Sequence, residues 1–141
     1  MGTISKNFSY REFEESETAK RHGFINAITT YAVQQAVKAL VDNVLQPLRD
    51  AWGEPLHVNS GYRNERLNAL VGGVPTSQHV KGEAADIKCD RPYELASLAE
   101  RLGLPFDQMI LYPNFVHFSH KLNGEQRHQI LYNKTYKGQR L

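Results

Sequence analysis

Apolar side chains recur every three or four residues between positions 33 and 48, which is the spacing of one face of an α-helix. Pro47 falls inside this pattern, so we expect the helix to kink or to restart near Gln46. Gly53 follows as a stop signal. The face opposite the apolar stripe is not basic, so the pattern indicates a helix that packs on a protein core rather than on a membrane surface.

Shorter helices are marked by the residues at their ends. Ser9 followed by Glu12 forms a capping box, and a second short helical stretch runs towards Gly23. Residues 64–71 form another short helix, which stops at a glycine pair. A longer helix runs from its cap, Asp90, through residue 102.

Strand patterns cluster in the second half of the chain. The candidate strands are 56–58, 84–88, 108–112, 115–121 and 127–132. The dipeptide Asn123-Gly124 between the last two predicts a tight antiparallel hairpin. Because helices come first and strands come late, we predict an α+β fold in which N-terminal helices pack on a small antiparallel sheet.

Composition narrows the class of protein. The 141 residues have the length of one ordinary domain, and we assign 1–141 to a single domain. With 40% hydrophobic and 23% charged residues, a disordered or collagen-like chain is excluded. Cys89 is the one cysteine, so neither an internal disulfide nor a cysteine-rich zinc cluster can form. The net charge of +2 is too weak to indicate a nucleic-acid partner.

The sequence also bears on location. No stretch approaches the roughly 18 apolar residues that span a bilayer, and the N-terminal stretch lacks the apolar region of a signal peptide. We therefore expect synthesis in the cytoplasm without membrane insertion, and action outside the cell would need a holin or cell lysis. We also expect a monomer.

Candidate chemistry begins with a polar, glycine-rich stretch that contains His79 and Asp86. Asp86 lies among small and apolar residues of a strand, so its carboxylate should be partly buried and should need a cation or several donors. Strand alternation places His117 on the face opposite the apolar Val116 and Phe118. Two imidazoles and one carboxylate suit a zinc ion that keeps a fourth position for water. The spacing is also compatible with a loop histidine, an aspartate in a turn network and a sheet histidine.

Longer strings of residues add to this picture. The chain carries SGYR at 60–63, Asn68 followed by VGG at 71–73, S-x-H-x-x-G-x-A-x-D at 77–86, and VHFS at 116–119. These motifs resemble the zinc D-alanyl-D-alanine carboxypeptidase family, which includes D,D-dipeptidases and phage endolysin peptidases that cut bacterial peptidoglycan. The N-terminal NFSYREFEESETAKRHG is similar to the small phage-associated branch. The resemblance implies a hedgehog-like, D-Ala-D-Ala-peptidase-like fold.

The resemblance also implies roles for individual residues. His79, Asp86 and His117 match the three ligands of one zinc ion per chain. Arg63 matches an arginine that holds the substrate and stabilises the oxyanion, for which a planar guanidinium is well suited. Ser77 matches a serine near the backbone or amine of the substrate, although it could equally be a turn residue that bonds its own loop.

One position departs from the family pattern. Members usually carry Glu or Asp three residues before the last ligand as general base, whereas this chain has Asn114, which cannot accept the proton as a carboxylate does. Glu83, Tyr112 or His120 could serve instead, or the hairpin could be offset so that the base comes from elsewhere. The third reading is a domain that kept its metal and lost its catalysis.

From these features we expect a zinc metallopeptidase that hydrolyses a peptide bond in bacterial peptidoglycan stem peptides. It would be D-Ala-D-Ala carboxypeptidase-like or an endolysin-type endopeptidase, acting on the cell wall in phage or prophage lysis. The alternatives are a zinc-bearing cell-wall binding module without turnover and a phage structural component that contacts the wall. Nucleic acid is not an expected partner.

Overall fold

The computed structural model describes residues 2–141 and has the α+β composition expected. The helices are α1 (Tyr10–Glu14), α2 (Glu17–Arg21), α3 (Tyr31–Leu40), α4 (Gln46–Trp52), α5 (Glu65–Leu70) and α6 (Pro92–Arg101). The strands are β1 (Thr3–Ser5), β2 (Phe8–Ser9), β3 (His57–Ser60), β4 (Ala84–Lys88), β5 (Gln108–Leu111), β6 (Phe115–Ser119) and β7 (Gln129–Tyr132). Across residues 2–141, no helix combines the length and the apolar character that a membrane crossing needs.

The long apolar stripe is one helical run with an irregularity in its middle. A π-helical segment, Val41–Leu45, joins α3 to α4, and α4 begins at Gln46 as predicted. Pro47, in the first turn of α4, has no N–H to donate to a preceding carbonyl, and the helix widens directly before it. Gly53 ends α4 in the left-handed conformation, at a φ of 78°.

The start of α6 differs from the prediction. Asp90 is not its cap: the cap position is held by Arg91, which makes no side-chain capping bond, and the helix begins at Pro92. The backbone N–H of Arg91 instead donates to the sulfur of the buried Cys89, at 3.3 Å. The thiol thus binds the backbone N–H of the residue that holds the cap position.

Five strands form the main sheet in the order β3-β4-β6-β5-β7, and β1 pairs with β2 separately. The pairs β3–β4, β4–β6 and β6–β5 are antiparallel, but β5–β7 is parallel. The sheet is therefore mixed, and the prediction of a purely antiparallel sheet is wrong.

The predicted hairpin at Asn123-Gly124 does not form, because β7 pairs with β5 and not with β6. Two hydrogen bonds between Lys121 and Gln126 explain the difference. The amide side chain of Gln126 accepts from the backbone N–H of Lys121 at 2.7 Å and donates to its carbonyl at 3.0 Å. The side chain thus replaces the strand ladder that a two-residue turn needs, and the chain crosses to the far side of β5.

The two faces of the sheet separate core from cleft by simple alternation. Fully buried side chains on one face belong to the hydrophobic core that also contains the apolar stripe of α3 and α4. On this face the sheet contributes Ala85, Ile87, Met109, Leu111, Val116 and Phe118. The residues between them in sequence, which include Asp86 and His117, point to the opposite face. The prediction that Val116 and Phe118 face the core is confirmed.

Candidate metal centre

Asp86 and His117 lie directly opposite each other on the antiparallel strands β4 and β6. Nδ1 of His117 and Oδ1 of Asp86 are 2.8 Å apart. A carboxylate can only accept, so Nδ1 donates this hydrogen bond in the metal-free protein, and a bound ion would require a ring nitrogen of His117 without a proton. The strand register therefore brings together two of the three residues proposed as ligands.

His79 approaches the same carboxylate from the loop that precedes β4. Its Nδ1 lies 2.7 Å from the carbonyl oxygen of Gly61, which can only accept, so Nδ1 carries a proton, and in the neutral imidazole Nε2 has a free lone pair. Nε2 lies 3.4 Å from Oδ1 of Asp86. The histidine is buried, so this arrangement is held rigidly by its surroundings.

The contact between His79 and Asp86 fits a cation. Nε2 of His79 and Oδ1 of Asp86 lie 3.4 Å apart, a separation that a proton on Nε2 or a cation bound by both atoms makes favourable. Two zinc ligands at about 2.0–2.1 Å in tetrahedral geometry are also separated by roughly 3.4 Å. One ligand atom from each of His79, Asp86 and His117 lies within 4.8 Å of the other two, so the three side chains could hold a metal ion.

The charge of Asp86 is secured by its neighbours. Burial alone raises the pKa of this carboxyl, but hydrogen bonds and charge interactions with His117 and His79 outweigh burial and hold the pKa well below its usual range. Asp86 is therefore ionised at neutral pH, as a metal ligand must be.

Arg63 reaches the same face of the sheet from the segment that follows β3. Its Nη1 donates to the side-chain oxygen of Asn68 on α5 at 3.0 Å, and its backbone N–H donates to the carbonyl of His79 at 3.1 Å. Burial lowers the pKa of the Arg63 guanidinium, an effect that the charge of Asp86 opposes. At neutral pH the side chain stays cationic, because a guanidinium cannot be deprotonated in a protein.

These residues line a cleft of about 430 Å³ on the face of the sheet opposite the core. Its walls include the three candidate ligands together with Arg63, Ser77, Gln78, Gln108, Tyr112 and Arg127. Of the residues that line the cleft, Asp86 is the one carboxylate. The Oγ of Ser77 accepts from the backbone N–H of His79 at 3.2 Å, so this serine also shapes the turn that carries the histidine.

The three candidate bases do not share one location. Glu83 and His120 lie outside the cleft: the carboxylate of Glu83 accepts from Gln78 and from the backbone of Leu122, and Nδ1 of His120 donates to the carbonyl of Pro105. Tyr112 lines the cleft, but burial and the charge of Asp86 raise the pKa of its hydroxyl. A neutral phenol is a proton donor rather than a base at neutral pH.

Asn114, the position that departs from the family pattern, lies in the tight turn between β5 and β6. It is exposed and does not line the cleft, and its carbonyl accepts from the backbone N–H of Cys89 at 3.1 Å. The antiparallel strands β5 and β6 are joined by a tight hairpin, and Asn114 in its turn lies outside the cleft that holds the candidate metal centre.

The sequence reasoning missed the residues that support the site. The motif that contains Asn68 does not indicate its role, although the residue is buried and holds Arg63. The sequence also gives no signal for Arg127 or for Asp107, which is fully buried. A lone aspartate before an apolar strand gives no signal of burial, since its partner, Arg127, is 20 residues away in the sequence.

Comparison with known proteins bears directly on this site. The family model described as Peptidase M15 matches residues 6–119, a span that contains all three candidate ligands. The chain belongs to the peptidase M15 family. It is also 37% identical over 83 residues to the zinc D-Ala-D-Ala carboxypeptidase of Streptomyces albus G. That match covers 57% of this chain and 31% of the relative, so the chain corresponds to about a third of the longer protein.

Proposed function

We propose that this M15 protein is a zinc-dependent peptidase that hydrolyses a peptide bond in bacterial peptidoglycan stem peptides. The observation that carries the proposal is the convergence of His79, Asp86 and His117 in a cleft that also presents Arg63. The family membership supports peptide hydrolysis, and the zinc carboxypeptidase from Streptomyces supports the choice of metal and of substrate class. We propose one zinc ion per chain.

The side chains have distinct roles in this proposal. His79, Asp86 and His117 would hold the ion, and when bound, zinc polarises a carbonyl and lowers the pKa of water. The guanidinium of Arg63 lies in the same cleft and would stabilise negative charge that develops on the substrate oxygen. Ser77 would contribute a hydroxyl near the substrate backbone. Tyr112, as a neutral phenol, would donate a proton or a hydrogen bond.

The test is incubation of the zinc-loaded protein with purified peptidoglycan, followed by quantification of new amino groups and mass spectrometry of released fragments. We expect new amino groups with the unaltered chain and none with His79→Ala. Free D-alanine among the products would identify a carboxypeptidase, and larger fragments would identify an endopeptidase. Absence of any new amino group with fully zinc-loaded protein would overturn the proposal.

The cleft also favours a second candidate, a zinc-bearing cell-wall binding module without turnover. Asp86 is its one carboxylate and is placed to be a ligand, so no acidic side chain is left in the cleft to act as general base. General base catalysis contributes roughly 10²–10⁴-fold to a rate, so its loss would leave little activity. Co-sedimentation with peptidoglycan without release of amino groups would support this candidate. A structural role in phage particles would show as co-purification with virions.

For the peptidase, we propose that the chain acts on the cell wall after its release from the cell in which it is made, as in phage or prophage lysis. A reporter assay that compares wall hydrolysis by intact and by lysed producing cells tests this. Hydrolysis by intact cells would contradict it.

A further inference from the structure

Arg127 is a second guanidinium in the cleft, and it comes from the opposite edge of the sheet to Arg63. Arg63 follows β3 at one edge, whereas Arg127 precedes β7 at the other. The strands β4 and β6, which carry Asp86 and His117, lie between them in the sheet order. The candidate metal centre is therefore flanked by two arginines that share one cleft.

The position of Arg127 is set by a carboxylate that is shielded from water. Asp107 is fully buried, and its Oδ2 accepts from Nη2 of Arg127 at 2.7 Å, while its Oδ1 accepts from Nε at 3.1 Å. Oδ1 also accepts from the backbone N–H of Arg127 at 2.8 Å. Because Asp107 bonds both the backbone and the side chain of Arg127, the arginine loses little further conformational entropy when it binds a ligand.

The same carboxylate links Arg127 to the metal-ligand loop. Oδ2 of Asp107 accepts from the amide side chain of Gln78 at 3.2 Å, and Gln78 directly precedes His79. Asp107 is thus a positioning residue that ties the crossover before β7 to the loop that carries a candidate ligand. This explains why a carboxylate is tolerated in the interior at all, since each of its oxygens is satisfied by charged or polar donors.

The ion pair with Asp107 does not use the whole guanidinium. Its hydrogen bonds occupy Nε and Nη2, and within residues 2–141 no partner bonds Nη1. The side chain is 44% exposed, in contrast to its buried partner. A planar guanidinium whose Nη1 is free at the wall of a cleft is suited to donate hydrogen bonds to a carboxylate of a ligand.

We propose that Arg127 is a substrate-binding residue that holds a free carboxylate of the peptide, at the end of the cleft away from Arg63. The inference rests on the proposed function and narrows its substrate to anionic peptides. Two guanidinium groups face one carboxylate in this cleft, and that carboxylate is committed to the metal centre. A stem peptide offers such a group at its C terminus and on its isoglutamate residue, and the two sources are chemically equivalent to an arginine.

The test compares three forms of one lysine-type stem pentapeptide: the free acid, the C-terminal amide, and the form whose isoglutamate carboxyl is amidated. Binding of each is measured by calorimetry on the full chain without metal, where no turnover interferes. For the zinc-loaded chain, kcat and KM are measured separately. We expect one of the amides to bind roughly 10–150-fold more weakly than the free acid, the range that a hydrogen-bonded charge contributes.

The variants assign this preference to Arg127. In Arg127→Gln, the free acid and the amide that bound more weakly to the unaltered chain should bind with nearly equal affinity, so that their affinity ratio falls towards one. For hydrolysis of the free acid, this variant should change KM rather than kcat. The matched control is Lys121→Gln, which removes a cation 3.9 Å from the same buried carboxylate but does not line the cleft, and it should keep the ratio of the unaltered chain. Arg127→Lys retains the charge without the fork and should give an intermediate ratio.

Two results would overturn the inference: an Arg127→Gln ratio equal to that of the unaltered chain, or no preference for the acid in the unaltered chain at either carboxyl. If Arg127→Gln fails to fold, Arg127→Lys decides in the same way against Lys121→Gln. A clear binding preference without hydrolysis would refute the proposed peptidase activity and leave the role of Arg127 standing. Hydrolysis without any preference would do the reverse.

Discussion

The side-chain oxygen of Asn68 accepts a hydrogen bond from Nη1 of Arg63 at 3.0 Å, in a space that is open only because residue 73 is glycine. The amide nitrogen of Asn68 donates in turn to the carbonyl of Val74 at 2.8 Å. Asn68 is buried on α5, and its side chain bonds both Arg63 and the residue that follows the VGG motif. The turn and the guanidinium form one unit.

We predict that Gly73→Ala displaces Arg63. A Cβ at residue 73 would lie 2.8 Å from Nη1 of Arg63 and closer still to the side-chain oxygen of Asn68. The value of kcat/KM for peptide hydrolysis should fall by about 10–100-fold, since a misplaced oxyanion donor loses most of its effect. The control is Gly2→Ala, whose Cβ would meet nothing within 4 Å. Full activity in Gly73→Ala would show that Arg63 need not occupy this position.

We predict that metal content depends on each of the three candidate ligands. Elemental analysis by plasma mass spectrometry should find about one zinc per molecule in the purified chain. The variants His79→Ala, Asp86→Ala and His117→Ala should contain much less zinc. Loss of one ligand of three removes both a bond and the geometry of the site. The control is His57→Ala, an exposed histidine on β3. Equal zinc in His79→Ala and the unaltered chain would exclude the site.

We predict an acid-dependent stability that depends on Asp107. Burial alone raises the pKa of this carboxyl, but hydrogen bonds from Arg127 outweigh burial and hold the pKa below its ordinary 3.8. The unfolded chain therefore binds the proton first as the pH falls, so the stabilisation is present above about pH 4 and is lost as the pH falls further, towards the folded-state pKa.

Urea unfolding between pH 2 and 7 checks this prediction. Asp107→Asn should be less stable by about 1–3 kcal/mol at pH 7, because hydrogen bonds to a charged group are lost. Its stability should also fall less steeply than that of the unaltered chain below about pH 4. Asp90→Asn, at a carboxylate whose side chain is 95% exposed, is the control. Parallel pH curves for Asp107→Asn and the unaltered chain would contradict the assignment.

We predict that neither Glu83 nor His120 is the general base. Both side chains lie outside the cleft and are bound to other groups, so His120→Ala should retain kcat within about twofold and Glu83→Gln should keep the shape of the pH–rate profile. Because Glu83 bonds the backbone of Leu122, its variant should lose stability rather than change its pH dependence. Disappearance of the acidic limb of the profile in Glu83→Gln, the limb that a general base produces when it takes up its proton, would reverse this conclusion.

Local signals in the sequence were sufficient for much of the architecture. The restart of the helix at Gln46 follows from the missing N–H of Pro47, and the separation of His117 from Val116 follows from strand alternation. Both depend on residues adjacent in the chain. The motifs at 77–86 and 116–119 likewise indicated the ligand candidates that the structure brings together.

Features that depend on distant partners could not be predicted. Asn123-Gly124 favours a hairpin locally, but Gln126 binds Lys121 and Arg127 binds Asp107, and these contacts draw the chain across to β5. The packing of Gly73 against Arg63 is equally invisible in the sequence, since it depends on how α5 lies beneath the turn. In the first case contacts formed in the folded chain override the local turn propensity, and in the second the role of the glycine depends on a neighbour that the turn itself does not specify.

The pairing of Asp86 with His117 across β4 and β6 has a consequence for how the strands find each other. Side chains alternate with a period of two, so a slip of one residue would leave one of the pair on the core face and the other on the cleft face. An ion that requires both side chains can bind only the correct alignment. Metal binding would thus stabilise the strand register in which the carboxylate and the imidazole lie on the same face, and would not stabilise a register shifted by one residue.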